Sequence, residues 1–246
     1  MTRTSKKRRA LACNEGVAIA QRLADQVLDG LLDGRKAAGR CLEQIQAVDG
    51  SLKSFVAVDP DGASRTAKPG NGPLAGNPFA AKDIFATAKL PTTYGSRHYE
   101  GIQAGTDAAL IQILKDSGAT LMGTTATLEF ASVGAIPPTR NPWDLDRSPG
   151  GSSAGSGAAV GAGLIPLALA SQTGGSTIRP AAFCGAVGYK PTWGRISTEG
   201  MKPFAPSLDT VGLIGSHVRL LRHAAEALGF GSPVPAPTDR PLRIGW

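Results

Sequence analysis

Aromatic residues are scarce in this 246-residue chain: 7 Phe, 3 Tyr and 3 Trp, or 5% of the whole. A core without them must be built from Ala, Val, Leu and Ile. Histidine is scarcer, at only His98, His217 and His223. A Ser-His-Asp hydrolase needs a histidine base. His98 lies in a polar stretch, and His217 and His223 fall on or beside an amphipathic segment, so nothing points to such a base. Cysteines number three, Cys13, Cys41 and Cys184. An odd count without regular spacing argues against a disulfide framework and fits a reducing compartment. No Cys/His spacing resembles a zinc site. No apolar run approaches the roughly 18 residues of a membrane span. Only Ala10-Leu11-Ala12 follows the basic start before Asn14 and Glu15, far short of a signal-peptide apolar region. These absences lead us to expect a cytoplasmic protein with no metal, no cofactor and no membrane partner.

Glycine (32) and proline (18) are plentiful and gather in turns. The formal charge of +7 suggests nucleic acid at first sight. Four of those charges sit in Lys6-Lys7-Arg8-Arg9, with no stacking aromatics between them. They read as a solvated tail rather than a nucleic-acid arm. We therefore expect residues 1–12 to be a disordered basic tail and residues 13–246 to form the folded unit, long enough to bury a sizeable core.

Apolar residues at helical spacing predict a helix from Glu15 to about Leu31 and a second from about Lys36 to Val48, stopped by Asp49-Gly50. Both read as scaffold or oligomer contacts. Ser54 to Val58 reads as a strand, and Phe79 to Phe85 as a strand leading into a loop. Asp107 to Ser117 reads as a helix with Ala109, Leu110, Ile113 and Leu114 inward, followed by a strand at Ala119–Gly123. Residues 137–151 form a long loop, and long ordered loops are often functional. Ala186 to Pro191 reads as a strand, Ser207 to Gly212 as a turn, Arg219 to Leu228 as a helix, and Leu242 to Trp246 as the start of a strand. Helix and strand in alternation suggest α/β layering.

Two glycine-rich turns dominate the middle of the chain. The first is Ser148-Pro149-Gly150-Gly151-Ser152-Ser153-Ala154-Gly155-Ser156, and the second is Gln172-Thr173-Gly174-Gly175-Ser176-Thr177-Ile178-Arg179-Pro180. The small, apolar stretch from Ala158 to Ala170 between them is too apolar for a linker, so both turns should pack against one site with Ser152 and Ser176 facing the same point. Gly155 to Gly161 contains a GxGxxxG, but no strand precedes it and no acidic ribose contact follows, so it is a weak nucleotide motif. The nucleophile-elbow pattern is absent around both serines. A serine nucleophile here would need a base other than histidine, and a desolvated lysine is the natural candidate. Lys82, between Ala80-Ala81 and Asp83-Ile84, reads in isolation as a surface lysine paired with Asp83. The alternative is a buried amine of lowered pKa.

Taken together, the two turns, with Arg179-Pro180-Ala181-Ala182-Phe183-Cys184-Gly185 after the second, resemble the amidase signature family. Lys82-Asp83, Glu129-Phe130, Arg140-Asn141-Pro142-Trp143, Gly188-Tyr189-Lys190-Pro191-Thr192 and Ser207-Leu208-Asp209-Thr210-Val211-Gly212 follow in the family's order. The resemblance implies an α/β fold, a mixed central sheet flanked by helices in three layers. It implies that Ser176 is the acyl-accepting nucleophile, that Ser152, reached through a cis peptide from Gly151, is the bridging serine, and that Lys82 is the neutral base. The amides of Thr173, Gly174, Gly175 and Ser176 would form the oxyanion hole, with Ser153 in a supporting role beside Gly151. The substrate would be a small-molecule amide. Family members are usually much longer, so the resemblance also implies a domain truncated at its C-terminal side, completed by a separate chain or a homo-oligomer if at all. The Ser-Thr-Ile-Arg-Pro order after Gly175 favours a stand-alone amidase over the glutamine-hydrolysing, ammonia-supplying component of an amidotransferase. A truncated, non-catalytic or partner-binding remnant is the alternative from another class.

Overall fold

The computed structural model describes residues 15–62, 72–132 and 134–230. The expected basic tail and the strand expected at Leu242–Trp246 lie outside the described residues, as does Cys13. Two helices open the fold, α1 (Gly16–Leu28) and α2 (Gly34–Leu52). Both follow the predicted periodicity, although Leu31 falls beyond α1 and is 78% exposed. Asp49-Gly50 does not stop α2, which runs on to Leu52. The Asp49 carboxylate instead accepts from the Ser54 and Phe55 amides and from Ser54 Oγ beyond the helix end. Lys53, in the left-handed conformation, terminates the helix.

Six strands form one mixed sheet in the order β1-β3-β2-β4-β6-β5. They are β1 (Phe55–Val58), β2 (Pro78–Lys82), β3 (Thr120–Thr125), β4 (Leu167–Gln172), β5 (Val187–Tyr189) and β6 (Thr210–Gly215). The three central strands β3, β2 and β4 run parallel, and β1, β6 and β5 pair antiparallel to their neighbours. The turn expected at Ser207–Gly212 is found at Ser207 and Leu208, but its second half, Thr210 to Gly212, is a strand. Thr210-Val211-Gly212 continues into Leu213-Ile214-Gly215, and all six residues are buried. Its two glycines hid the strand pattern from a reading by propensity.

Alternation along the strands splits the core into two layers. Phe79, Ala81, Leu167, Leu169, Val211 and Leu213 face one side. There they meet α3 (Ala109–Asp116) and α6 (Val218–Ala227) through Leu110, Ile111, Leu114, Leu220 and Ala224. Within α3, Leu110 and Leu114 face inward as expected, but Ile111 is buried with them and Ile113 is 37% exposed. Ala80, Ala168, Ala170 and Ile214 face the other side. There they meet α1, α2 and α4 (Ala154–Gly161) through Val27, Ile45, Leu52, Ala159 and Val160. The short helix α5 (Ile178–Cys184) packs beside α4. The result is the expected three-layer α/β/α arrangement.

The small residues of α4 have a steric cause. All eight are buried. A Cβ on Gly155 would sit 2.2 Å from the Ser54 carbonyl oxygen and 2.3 Å from the Ala126 nitrogen. One on Gly161 would sit 2.3 Å from the Cys184 carbonyl oxygen. The GxGxxxG is thus a packing face against protein backbone. No helix among the described residues is long and apolar enough to cross a membrane.

Candidate active site

The C-terminal ends of the parallel strands β2, β3 and β4 bring the chemistry together. Lys82 is the last residue of β2 and is fully buried. The surface reading of this lysine is wrong. Asp83 points away, accepting from the Thr93 and Gly95 amides and from Thr93 Oγ1. Lys82 Nζ instead lies 2.8 Å from Ser152 Oγ and 2.8 Å from Ser171 Oγ. Burial pushes its pKa down to about 7, against a weaker upward pull from the Asp209 charge. At neutral pH a large fraction of this amine is unprotonated and able to accept a proton. Burial also raises the pKa of the Asp83 carboxyl, with the Thr93, Tyr94 and Gly95 hydrogen bonds opposing it.

Ser152 sits just before α4, and the Gly151–Ser152 peptide is cis. The Ser152 carbonyl accepts from the Leu128 amide at 3.1 Å. The Arg179 side chain donates twice to the Gly151 carbonyl, from Nε at 3.1 Å and from Nη2 at 2.8 Å, tying the second turn to the first. Ser153 is buried between the turns. Its amide donates to the Ser176 carbonyl at 3.4 Å, and its hydroxyl lies 3.4 Å from both the Ser171 amide and the Ser171 carbonyl. Ser156 lies deeper, within 2.8 Å of Thr125 Oγ1 and of the Leu169 carbonyl.

The second turn leaves β4 after Gln172. Gln172 Oε1 accepts from the Thr177 and Ile178 amides, both at 3.0 Å, which fixes the start of α5. Gly174 is exposed, and Gly175 and Ser176 are half-buried. Among the described residues the amides of Gly174, Gly175 and Ser176 donate no hydrogen bond, and the Ser176 hydroxyl has no partner. Lys82 and Ser152 are therefore brought into direct contact. Ser176 is joined to them through Ser153, with its hydroxyl free and near a set of unused donors.

Ser171 is the residue the sequence reading missed. It follows Leu-Ala-Leu-Ala in a run that looked like plain core, and only the strand pairing sets it beside Lys82. Among the described residues no group of three or more His, Cys, Asp or Glu is placed to hold a metal ion. Cys41 and Cys184 are both buried, and Cys184 Sγ lies 3.5 Å from the Pro149 carbonyl. Two open clefts border the site. One, of about 570 Å³, touches Gly150, Gly151, Ala154 and Arg179, and the other, of about 930 Å³, touches Thr93, Gly95, Ala126 and Thr127.

Known proteins resemble this chain in sequence and in architecture. The family model described as Amidase matches residues 37–229. The glutamyl-tRNA(Gln) amidotransferase A-subunit of Thermobifida fusca is 44% identical over 213 residues, covering 81% of this chain and 43% of that protein. Among solved structures, the native peptide amidase of Stenotrophomonas maltophilia superposes with a TM-score of 0.76 at 31% identity, covering 90% of this chain and 50% of that one. The corresponding amidotransferase A-subunit of Thermotoga maritima superposes with a TM-score of 0.71 at 39% identity, covering 80% and 43%. The chain thus spans about half the length of the relatives it matches. With the family model and these relatives covering most of its length, the chain belongs to the amidase family.

Proposed function

We propose that this chain carries the reacting groups of an amidohydrolase that cleaves a carboxamide C–N bond through an acyl-Ser176 intermediate. The observation that carries the reading is the buried contact between Lys82 Nζ and Ser152 Oγ, with the Lys82 pKa lowered to about 7. Ser176 Oγ attacks the carbonyl carbon. Its proton passes to Ser152 Oγ while the Ser152 proton passes to neutral Lys82 Nζ. The oxyanion gathers on the amides of Thr173, Gly174, Gly175 and Ser176, and losing one such donor typically costs about 2.7–4 kcal/mol. Lys82 then returns its proton through Ser152 to the leaving nitrogen, and amine or ammonia departs. Water attacks the ester by the same route and releases the acid. Ser153 holds the two turns together, and Ser171 helps fix the Lys82 amine.

A second reading draws on the 44% identity to the Thermobifida fusca amidotransferase chain. In it the same chemistry releases ammonia from glutamine for a partner protein, and the Ser-Thr-Ile-Arg-Pro order speaks for the stand-alone enzyme instead. We further propose that residues 13–246 act as one domain. The test is intact-mass spectrometry after treatment with a serine-reactive fluorophosphonate. One adduct on the parent chain and none on Ser176→Ala is the expected result. An adduct on both, or none on a folded parent, would remove Ser176 as the nucleophile of this chain.

A further inference from the structure

Strand pairing decides what lies opposite the second turn. In the antiparallel β4–β6 ladder Gln172 pairs with Thr210, so the next residues outward, Thr173 and Asp209, face each other where the ladder ends. There Thr173 Oγ1 donates to Asp209 Oδ1 at 2.5 Å. Asp209 Oδ2 accepts from the Phe204 amide at 2.7 Å and the Ala205 amide at 2.9 Å. Asp209 is only 6% exposed. A carboxylate this buried stays charged only with donors or a cation to hold it. Among the described residues it has no ion pair within salt-bridge distance.

Lys82 lies at the same end of the sheet: its Nζ is 2.8 Å from Ser171 Oγ, and Ser171 pairs in the β4–β6 ladder with Val211, two residues beyond Asp209. The strands and helix around Lys82 offer no other charge. β3, β4 and α4 carry no charged residue, and the groups that contact Lys82 Nζ are the hydroxyls of Ser152 and Ser171. Asp83, next in sequence, is turned to Thr93 and Gly95. On α2, Asp49 is committed to Ser54 and Phe55.

We propose that Asp209 is a positioning residue of this site: its carboxylate anchors the turn that presents Ser176, and its charge acts on the buried Lys82 amine. The inference rests on the reading of Lys82, Ser152 and Ser176 as the reacting groups. One carboxylate then serves two parts of the relay. Through Thr173 it orders the loop whose amides face the oxyanion. Through its charge it keeps the Lys82 amine from losing still more proton affinity.

Two near-isosteric variants separate these parts. Asp209→Asn removes the charge, and Thr173→Val removes the tether while leaving the charge. Circular dichroism verifies folding of each. The Lys82 titration is read directly from its ¹³Cε resonance, assigned by its loss in Lys82→Met. The expected result is a lower midpoint in Asp209→Asn and an unmoved one in Thr173→Val. Exchange of the Thr177 and Ile178 amides, which are bonded to Gln172 Oε1 at the far end of the loop, should quicken in Thr173→Val, and fluorophosphonate labelling of Ser176 should slow by about tenfold or more, the scale of one lost hydrogen bond to a charged group. An unmoved midpoint in folded Asp209→Asn would overturn the action on Lys82. Unchanged exchange in Thr173→Val would overturn the anchoring. A parent chain that takes no label sinks the reading of the reacting groups, while the titration and the exchange still decide the part played by Asp209.

Discussion

A buried lysine leaves a signature in folding stability that needs no substrate. In an open chain the Lys82 amine would titrate near 10.5, and in the fold it is held at about 7. Between those values the unfolded chain binds a proton on Lys82 that the folded chain does not. Stability from this group therefore rises with pH, by about 1.4 kcal/mol per pH unit. Below about pH 7 both states are protonated, and the buried charge costs the fold its full penalty, about 5 kcal/mol relative to strongly alkaline pH. Lys82→Met keeps the length of the side chain and removes the titration. It also strips a partner from Ser152 and Ser171, at about 1–3 kcal/mol for each buried hydroxyl left unpaired. That loss moves the intercept and leaves the slope alone. Urea unfolding of both proteins at about pH 7.5, 8.5 and 9.5 gives the difference free of other titrating groups. The parent should gain roughly 2.7 kcal/mol on the variant across that range. A difference that stays flat with pH would mean that Lys82 is solvated or charged in the fold, and the argument for it as a neutral base would fail.

Three further outcomes follow from packing and hydrogen bonds. Gly155→Ala drives a methyl group into the Ser54 and Ala126 backbone and should cost about 3 kcal/mol or more, read as a fall in melting temperature. Asp33→Ala removes the side chain that accepts from the Arg35 and Lys36 amides at the start of α2, and should lower the urea midpoint by the equivalent of about 1 kcal/mol. Arg179→Ala loses both donors to the Gly151 carbonyl and should slow labelling of Ser176 by about tenfold. Arg179→Lys should be slowed as well, because one ammonium cannot reproduce the planar two-donor contact.

The helices were legible because their period is local. Leu23 and Val27, or Leu110 and Leu114, recur at the helical interval whatever lies against them. Strand β6 was not legible. A buried strand with Gly212 and Gly215 lacks the alternation of a half-exposed one, and the glycines are there because Thr177 and Leu221 press on their backbone. Asp49-Gly50 misled for a related reason. A turn dipeptide ends a helix only when nothing else claims the aspartate, and Ser54 and Phe55 claim it here.

The sequence by itself determined the inventory of the site: two serine turns, one lysine in an apolar setting, no useful histidine, and the order of motifs that places the chain in its family. Those are properties of residue type and spacing, and they survive without coordinates. Only the tertiary structure decided what Lys82 is. The same side chain is a surface cation or a depressed amine according to whether β3, β4 and α4 close over it. Its contacts with Ser152 and Ser171 span 70 and 89 residues of chain. Burial and partners at that separation belong to the packing of the sheet, which no local pattern encodes.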